Sequence, residues 1–251
     1  MTDHILIEHP ENAPGVQVIR LNRPDKKNAI TRAMYQAMTD ALKAGDADDS
    51  VRATVFLGSE GCFSAGNDLN DFLAFAMGGT MGREVVDFLH ALAAHGKPLV
   101  SGVDGLAIGI GTTIHLHCDL TYASIRTEFR TPFVDLALVP EAASSLLAPR
   151  LMGYQRAFAL LAAGEGFSAT AAREAGLVYA VVEPAAVERD TLAAAVRLAA
   201  KPPKALAIAR TLIRGDGADV ARRIDEEAEH FAAQLKSPEA RAAFEAFMAR
   251  R

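Results

Sequence analysis

Apolar positions in the first part of this chain mostly follow the two-residue period of β-strands. Apolar and polar side chains alternate over residues 5–8 and 16–21, on either side of Pro14-Gly15, and this pattern predicts a β-hairpin. Residues 51–57 and 98–103 form short apolar runs, which predict buried strands. Helical patterns separate these strands, so the chain is expected to be of the α/β class.

Helices are predicted where apolar residues recur every three or four positions. Thr31 is a suitable N-cap for a helix that we expect to run to Ala44 and to end at Gly45. Residues 143–163 predict two helices with a break at Met152-Gly153.

The chain divides by composition into two parts. Strand, strand and helix follow one another through the first 180 residues, a rhythm typical of a spiral of ββα turns. From Pro184 onward the sequence is rich in alanine and helical in pattern. We therefore expect a core at residues 1–190 and a helical region at 191–251, whose apolar stripes need a surface to cover them.

Two turns rich in small residues each follow a predicted strand and precede a predicted helix. One lies within residues 56–72, and the other carries Gly105, Gly109 and Gly111. The first amides of a helix have no acceptor within it and suit a negatively charged oxygen. Two such turns can aim one N–H each at the same point, which gives a two-donor oxyanion hole. The alternative is that each turn serves packing alone.

The motifs around these turns resemble the crotonase, or enoyl-CoA hydratase/isomerase, superfamily, and within it the peroxisomal-type Δ3,Δ2-enoyl-CoA isomerases. The matching motifs are Leu21-Asn22-Arg23-Pro24, Asn28-Ala29-Ile30, Phe63-Ser64-Ala65-Gly66-Asn67-Asp68-Leu69, Gly105-Leu106-Ala107-Ile108-Gly109-Ile110-Gly111, Thr131-Pro132-Phe133, Pro140-Glu141 and Ser144-Ser145. The resemblance covers nearly the whole chain. It implies the crotonase (ClpP-like) spiral of ββα turns, followed by a helical C-terminal region that packs in homotrimers or dimers of trimers and covers the active site.

The resemblance also implies which residues carry the chemistry. The backbone amides of Asn67 and Ile110 would bind the thioester oxygen of an acyl-CoA. The two glutamates of the family's hydratases align with Thr113 and Phe133, neither of which transfers protons at neutral pH. Glu141 remains as the base. Without the motif match, Glu141 would be interpreted as a carboxylate on a surface loop.

A longer set of residues is expected to bind the substrate, with basic side chains at the adenosine end of coenzyme A. The set is Arg23, Lys26, Lys27, Ala29, Ser64, Ala65, Gly66, Asn67, Asp68, Leu69, Gly109, Ile110 and Phe133. The alternative for the basic residues is a solvated charge cluster, and the sequence does not choose between Lys26 and Lys27. Asp68 is also expected to cap a helix. The glycine-rich segment 78–82 is expected to be either a mobile cover for the acyl pocket or an ordinary surface loop.

Composition narrows the classes of partner. The net charge is −5 and no basic stripe is present, so we expect no nucleic-acid partner. No apolar stretch approaches the length of a membrane span, and Cys62 and Cys118 have neither disulfide-framework nor metal-ligand spacing. The N-terminus has no signal-peptide pattern and the last three residues are not Ser-Lys-Leu, so we expect a cytoplasmic protein.

The sequence therefore predicts an isomerase that moves a double bond from C3 to C2 of an acyl-CoA, with no metal and no cofactor beyond the coenzyme A of its substrate. Hydration is disfavoured because it needs a second proton-transferring group. The alternatives are another CoA-thioester reaction on the same fold, such as hydrolysis or decarboxylation, and a non-catalytic acyl-CoA binder.

Overall fold

The computed structural model describes residues 2–68, 71 and 82–249, with the backbone alone at residues 247 and 248. Leu69 and residues 78–81 of the expected cover segment lie outside the described residues. No helix in the described part of the chain is long and apolar enough to cross a membrane.

The predicted N-terminal hairpin forms, and it begins the larger of two sheets. Its strands pair antiparallel with Ile5 opposite Leu21. The strands are β1 Ile5–Glu8, β2 Val16–Leu21, β3 Ala53–Leu57, β4 Cys62–Ser64, β5 Leu99–Val103, β6 Leu106–Ile108, β7 Leu120–Ser124, β8 Glu128–Arg130, β9 Phe167–Ser168 and β10 Ala180–Val182.

From β3 to β8, successive strands alternate between the two sheets. The six-stranded sheet has the order β1-β2-β3-β5-β7-β10, and the four-stranded sheet has the order β4-β6-β8-β9. The pairs β3/β4, β5/β6 and β7/β8 therefore each send one strand to the large sheet and the next to the small one. Parallel pairing joins β3, β5 and β7 in one sheet and β4, β6 and β8 in the other. This arrangement is the predicted spiral of ββα turns.

Helices follow these strand pairs and fill the C-terminal part. They are α1 Arg32–Ala47, α2 Glu84–Ala94, α3 Ile110–Thr113, α4 Ser144–Met152, α5 Tyr154–Leu161, α6 Ala169–Glu174, α7 Val187–Ala199, α8 Pro203–Arg214, α9 Gly217–Leu235 and α10 Pro238–Met248. The break predicted at Met152-Gly153 is confirmed, since α4 ends there and α5 begins one residue later.

The end expected for the first helix is wrong, because α1 continues through Gly45 to Ala47. Gly45 is needed there for close packing. A Cβ on this residue would lie 2.6 Å from the side-chain oxygen of Gln17, whose amide donates to the carbonyl of Ala41 at 2.9 Å. The glycine thus admits a buried side chain from β2 beside the helix.

Two apolar cores lie on opposite faces of the large sheet. Helix α7 packs on β3 and β5 and closes a smaller core with Val55, Val100 and Ala195. Residue 190, where composition places a boundary, lies inside this helix. The larger core, on the other face, includes Tyr35, Phe63 and Ile110 and extends to Ile224 and Phe231 of α9.

The small sheet determines where the functional turns meet. Strands β4 and β6 are parallel neighbours, so their carboxyl ends emerge at the same edge of the sheet. Gly66 and Asn67 follow β4 within three residues, and Gly109 and Ile110 directly follow β6.

Candidate active site

The two predicted turns lie against each other at the edge of the small sheet. A Cβ built on Gly66 would lie 2.9 Å from the carbonyl oxygen of Ile108, and one built on Gly111 would lie 2.9 Å from the carbonyl oxygen of Ser64. Gly109 has a φ of 58°, and a Cβ built on it would lie 4.0 Å from the Cα of Gly66. A side chain at Gly66 or Gly111 would force the turns apart.

The amides of Asn67 and Ile110 are the donors that these turns present. Ile30 donates to the carbonyl of Gly66 at 2.8 Å, and Asp68 donates to the carbonyl of Ile30 at 2.9 Å, as in a parallel ladder. The Asn67 amide between them points away from Ile30. Ile110 is the first residue of α3, so its amide has no acceptor in that helix.

Neither amide donates to an acceptor within the described residues. Because the turns that carry them are in contact, the two N–H groups lie on neighbouring segments at one edge of the small sheet. We call Asn67 N–H and Ile110 N–H the two-amide site. A fixed pair of donors of this kind stabilises charge that develops on an oxygen.

Arg23 and Asp68 form an ion pair behind the first turn. The Arg23 Nη1 to Asp68 Oδ2 distance is 2.6 Å, and their side chains are only 14% and 10% exposed. Arg23 also donates to the carbonyl of Ala29 at 2.9 Å. Arg23 is thus held within the fold, while the carboxylate of Asp68 is directed at Arg23, 45 positions away in the sequence.

The basic loop predicted to meet coenzyme A lies beside the first turn. Asn28 is buried and holds the loop: its Oδ1 accepts from Arg23 N at 2.7 Å, and its Nδ2 donates to the carbonyls of Cys62 and Phe63. Ala65 donates to the carbonyl of Lys27 at 2.8 Å. The side chains of Lys26 and Lys27 are exposed. Two cations therefore border the two-amide site on the side of residues 24–28.

Tyr35 is a site residue that the sequence reasoning missed. Its hydroxyl donates to the side-chain oxygen of Asn67 at 2.5 Å, although the residue is only 1% exposed. Burial, together with the negative charge of Glu141, raises the pKa of Tyr35 well above its usual value, so the phenol stays neutral and remains a donor. The only signal in the sequence was a polar atom in the apolar stripe of α1.

Glu141 is buried next to Thr113 in the same region. Its side chain accepts a hydrogen bond from the Thr113 hydroxyl, with 2.6 Å between Oγ1 and Oε1, and the residue is only 6% exposed. The pKa of Glu141 is raised to about 8. Burial raises it most, the Thr113 hydroxyl lowers it, and the charge of Glu227 raises it. The carboxyl group therefore exchanges protons in the neutral range, as a general base does.

Asp135, a carboxylate on the loop before Glu141, is engaged elsewhere. It pairs with Arg130 at 3.4 Å and is 52% exposed. Phe133 is 5% exposed and belongs to the larger core, so an apolar ring occupies the second glutamate position of the hydratases. His117 is buried and its Nε2 bonds the carbonyl of Ala142 at 2.8 Å, so it holds the backbone next to Glu141.

The described residues bring together no group of three or more His, Cys, Asp or Glu side chains that could hold a metal ion.

Comparison with known proteins places this arrangement in a family. Residues 11–251 match the sequence model of the enoyl-CoA hydratase/isomerase family. Enoyl-CoA delta isomerase 2 of Rattus norvegicus is 38% identical over 219 residues, which cover 85% of this chain and 56% of the rat protein. The chain spans about half to two thirds of the length of the curated isomerases that it matches.

Solved structures agree over almost the full chain. OdaA of Pseudomonas aeruginosa is 39% identical, with a TM-score of 0.93 over 98% of this chain and 99% of that one. An enoyl-CoA hydratase/isomerase from Pseudoalteromonas atlantica T6c is 36% identical, with a TM-score of 0.91 over 99% of this chain and 98% of that one. On its sequence and on its fold, this chain belongs to the enoyl-CoA hydratase/isomerase family of the crotonase superfamily.

Proposed function

We propose that this protein is a Δ3,Δ2-enoyl-CoA isomerase that uses Glu141 as its only proton-transferring carboxylate. The observation that carries this proposal is the contact between Thr113 and Glu141 beside the two-amide site. The carboxylate of Glu141, whose pKa is raised, faces the hydroxyl group of Thr113. Thr113 aligns with one of the two glutamates of the family's hydratases. The name of the rat relative, a delta isomerase, supports the same reaction.

The reaction begins with the thioester oxygen of a 3-enoyl-CoA in the two-amide site. Ionised Glu141 takes a proton from C2, and the electron pair moves into a dienolate whose oxygen accepts hydrogen bonds from Asn67 N–H and Ile110 N–H. Protonated Glu141 then returns a proton at C4, and the double bond forms between C2 and C3. One carboxyl group suffices because it begins and ends the cycle ionised.

Hydration of a 2-enoyl-CoA makes a different demand. It needs one group to activate water and another to place a proton on carbon. The neutral Thr113 hydroxyl, already bonded to Glu141, supplies neither step at neutral pH. The same geometry that suits isomerisation therefore disfavours hydration.

The far end of the substrate is assigned to the basic loop. Lys26 and Lys27 are exposed beside the first turn and present two positive charges to the phosphates of coenzyme A. Arg23 contributes by fixing that loop through Asp68.

The deciding experiment compares wild type with Glu141→Gln in the conversion of trans-3-hexenoyl-CoA to the 2-enoyl product. The isosteric amide cannot accept the proton, so we expect kcat to fall roughly 10³-fold while acyl-CoA binding is kept. The matched control is Asp135→Asn, which neutralises the exposed carboxylate of the neighbouring loop and is expected to keep kcat within about twofold of wild type.

The outcomes separate the alternatives. Equal turnover by wild type and Glu141→Gln would reject Glu141 as the base. Binding of acyl-CoA without turnover by wild type would reject the isomerase and leave the acyl-CoA binder or another thioester reaction, which a panel of thioesters would test.

We also propose that copies of this chain associate, as the family resemblance implies for a homotrimer or a dimer of trimers. Helix α8 carries Ile208, Leu212 and Ile213 with 62%, 78% and 85% of their surface exposed. Apolar side chains grouped in this way need a covering surface. Light scattering of wild type and Leu212→Glu tests this: a monomeric wild type would reject it, and dissociation of the variant would support it.

A further inference from the structure

A second buried carboxyl group, Glu227 on α9, lies close to the loop that carries Glu141. Glu227 is 6% exposed. Its Oε1 accepts from the amide of Ser145 at 2.9 Å and from the Ser145 hydroxyl at 2.5 Å. The contact links residues 82 positions apart and joins α9 to the first turn of α4.

The stretch between Glu141 and Ser145 has a conformation that alanine rarely adopts. Ala142 and Ala143 are both left-handed, with φ of 62° and 53°. Such a pair persists only where surrounding contacts hold it. Here His117 bonds the carbonyl of Ala142 at 2.8 Å, and Glu227 bonds the amide and the hydroxyl of Ser145. The backbone that aims Glu141 is therefore held from α9.

The environment of Glu227 is asymmetric. On one side, Arg223 donates to the Ser145 hydroxyl at 2.9 Å, so arginine, serine and carboxylate form a chain of hydrogen bonds. On the other, Glu227 Oε2 is buried and has no hydrogen-bond partner within the described residues. Burial raises the pKa of Glu227, while Ser145 and Arg223 lower it, and the ionised group in turn raises the pKa of Glu141.

We propose that Glu227 is a positioning residue of the reaction: it fixes the left-handed segment that aims Glu141 and places a second carboxyl group within electrostatic range of it. This inference rests on the proposed role of Glu141 as the base. Glu227 itself touches no reacting atom. It controls both the orientation and the basicity of Glu141, which does.

The other groups packed around Glu141 do not supply this control. Tyr35 stays neutral because burial raises its pKa, and His117 stays neutral because burial lowers its pKa to about 4. Thr113 carries no charge and acts in the opposite direction, since its hydroxyl lowers the pKa of Glu141. Arg223 acts on Glu227 and on Ser145. Burial raises the pKa of Glu141 most, and the negative charge of Glu227 is the neighbouring charge that raises it as well.

The test is the titration of Glu141 itself, followed by carbon-13 NMR of glutamate-labelled full-length protein. The Glu141 signal is assigned by its loss in Glu141→Gln. In Glu227→Gln, which keeps the shape and removes the charge, we expect the midpoint of Glu141 to fall by at least ~0.5 pH unit. Glu229→Gln, an exposed charge on the same helix, is the matched control and should leave the midpoint in place.

An unchanged Glu141 midpoint in Glu227→Gln would overturn the inference, whatever the enzyme does with substrate. This titration needs no turnover, so its result does not depend on whether the protein is an isomerase. Turnover adds a second readout: in folded Glu227→Ala, kcat should fall about tenfold with KM within about twofold, as expected when a base is misaimed. Loss of thermal stability in Glu227→Ala with wild-type kcat and wild-type pH profile would also overturn it.

Discussion

The two turns that form the two-amide site present the same group to the substrate but are held by different means. The first, residues 64–68, is fixed by side chains from distant elements: Arg23 on Asp68, and Tyr35 on Asn67. The second, residues 108–113, is fixed largely by hydrogen bonds of its backbone, within the turn and to β8. Gly109 donates to the carbonyl of Arg130 at 2.8 Å, and Thr112 and Thr113 donate back to Gly109.

The difference shows two ways to fix an amide in space. Side-chain bonds tolerate small backbone shifts but fail when one polar partner is removed, since the other is left buried without a partner. A glycine turn held largely by backbone bonds depends less on polar side chains, but it has no room for added atoms. We therefore expect the first turn to be sensitive to the loss of polar groups and the second to the gain of a methyl group.

The largest effect is expected from Gly111→Ala. The new Cβ would lie 2.9 Å from both the Cβ and the carbonyl oxygen of Ser64, and would push the two turns apart. Removing one fixed donor from such a site lowers kcat by roughly 10²-fold. Gly217→Ala, where a Cβ has open space, is the control. If the kcat of Gly111→Ala stayed within twofold of wild type, the second turn would not be sensitive to an added methyl group.

The next effect is expected from Asp68→Asn, in stability. Neutralising one partner of the Arg23–Asp68 pair leaves a guanidinium that is 14% exposed without its counter-charge. We expect the free energy of unfolding to fall by on the order of 2 kcal/mol in urea titration. Arg222→Ala breaks the exposed pair with Asp219 and should change it by no more than about 0.5 kcal/mol. Equal losses in both variants would show that the first turn does not depend on this pair.

A smaller effect is expected from Tyr35→Phe, which removes only the hydroxyl that bonds Asn67. The ring and its contact with Phe88 remain. Losing one hydrogen bond of about 1 kcal/mol loosens the first turn, and we expect kcat to fall about fivefold with KM nearly unchanged. A rise in KM at constant kcat would instead assign Tyr35 to substrate binding.

The smallest effect is expected from Thr113→Val at the end of the second turn. The valine fits the same space but cannot donate to Glu141, and because that hydrogen bond lowers the pKa of Glu141, its loss raises it. The base must begin ionised, so kcat/KM rises with pH through the Glu141 midpoint near 8 in wild type. In the variant this rise should move to higher pH by ~0.5 unit. A shift to lower pH would reverse the role given to Thr113.

What the sequence could predict follows the same division. The two glycine turns and Glu141 lie in short contiguous motifs. The turns follow apolar runs that predict strands, and the roles expected for Asn67, Ile110 and Glu141 come from the resemblance of these motifs to the family. The end of α1 was placed too early because a glycine locally favours a helix end, whereas the packing of the distant Gln17 determines the role of Gly45. The ion pair between Arg23 and Asp68 joins residues 45 positions apart, so no local pattern indicates it.

Tyr35 and Glu227 were missed for a related reason. Each lies on an amphipathic helix, where a polar residue among apolar ones carries no sign of its partner. The partner of Tyr35 is 32 positions away and that of Glu227 is 82 positions away. Only the spiral of strands, which folds these segments together, brings the pairs into contact.

The burial of Glu141 also makes the stability of the folded protein depend on pH. In the unfolded chain the carboxyl group titrates near 4.5, and in the folded protein near 8. Between these values the folded state holds one more proton than the unfolded state, so unfolding releases it and stability falls as pH rises, by about 1.4 kcal/mol per pH unit from this group. Glu141→Gln removes this dependence. The same rise in pH that ionises the base therefore weakens the fold, and we expect the inactive variant to melt at a higher temperature than the active protein at pH 8.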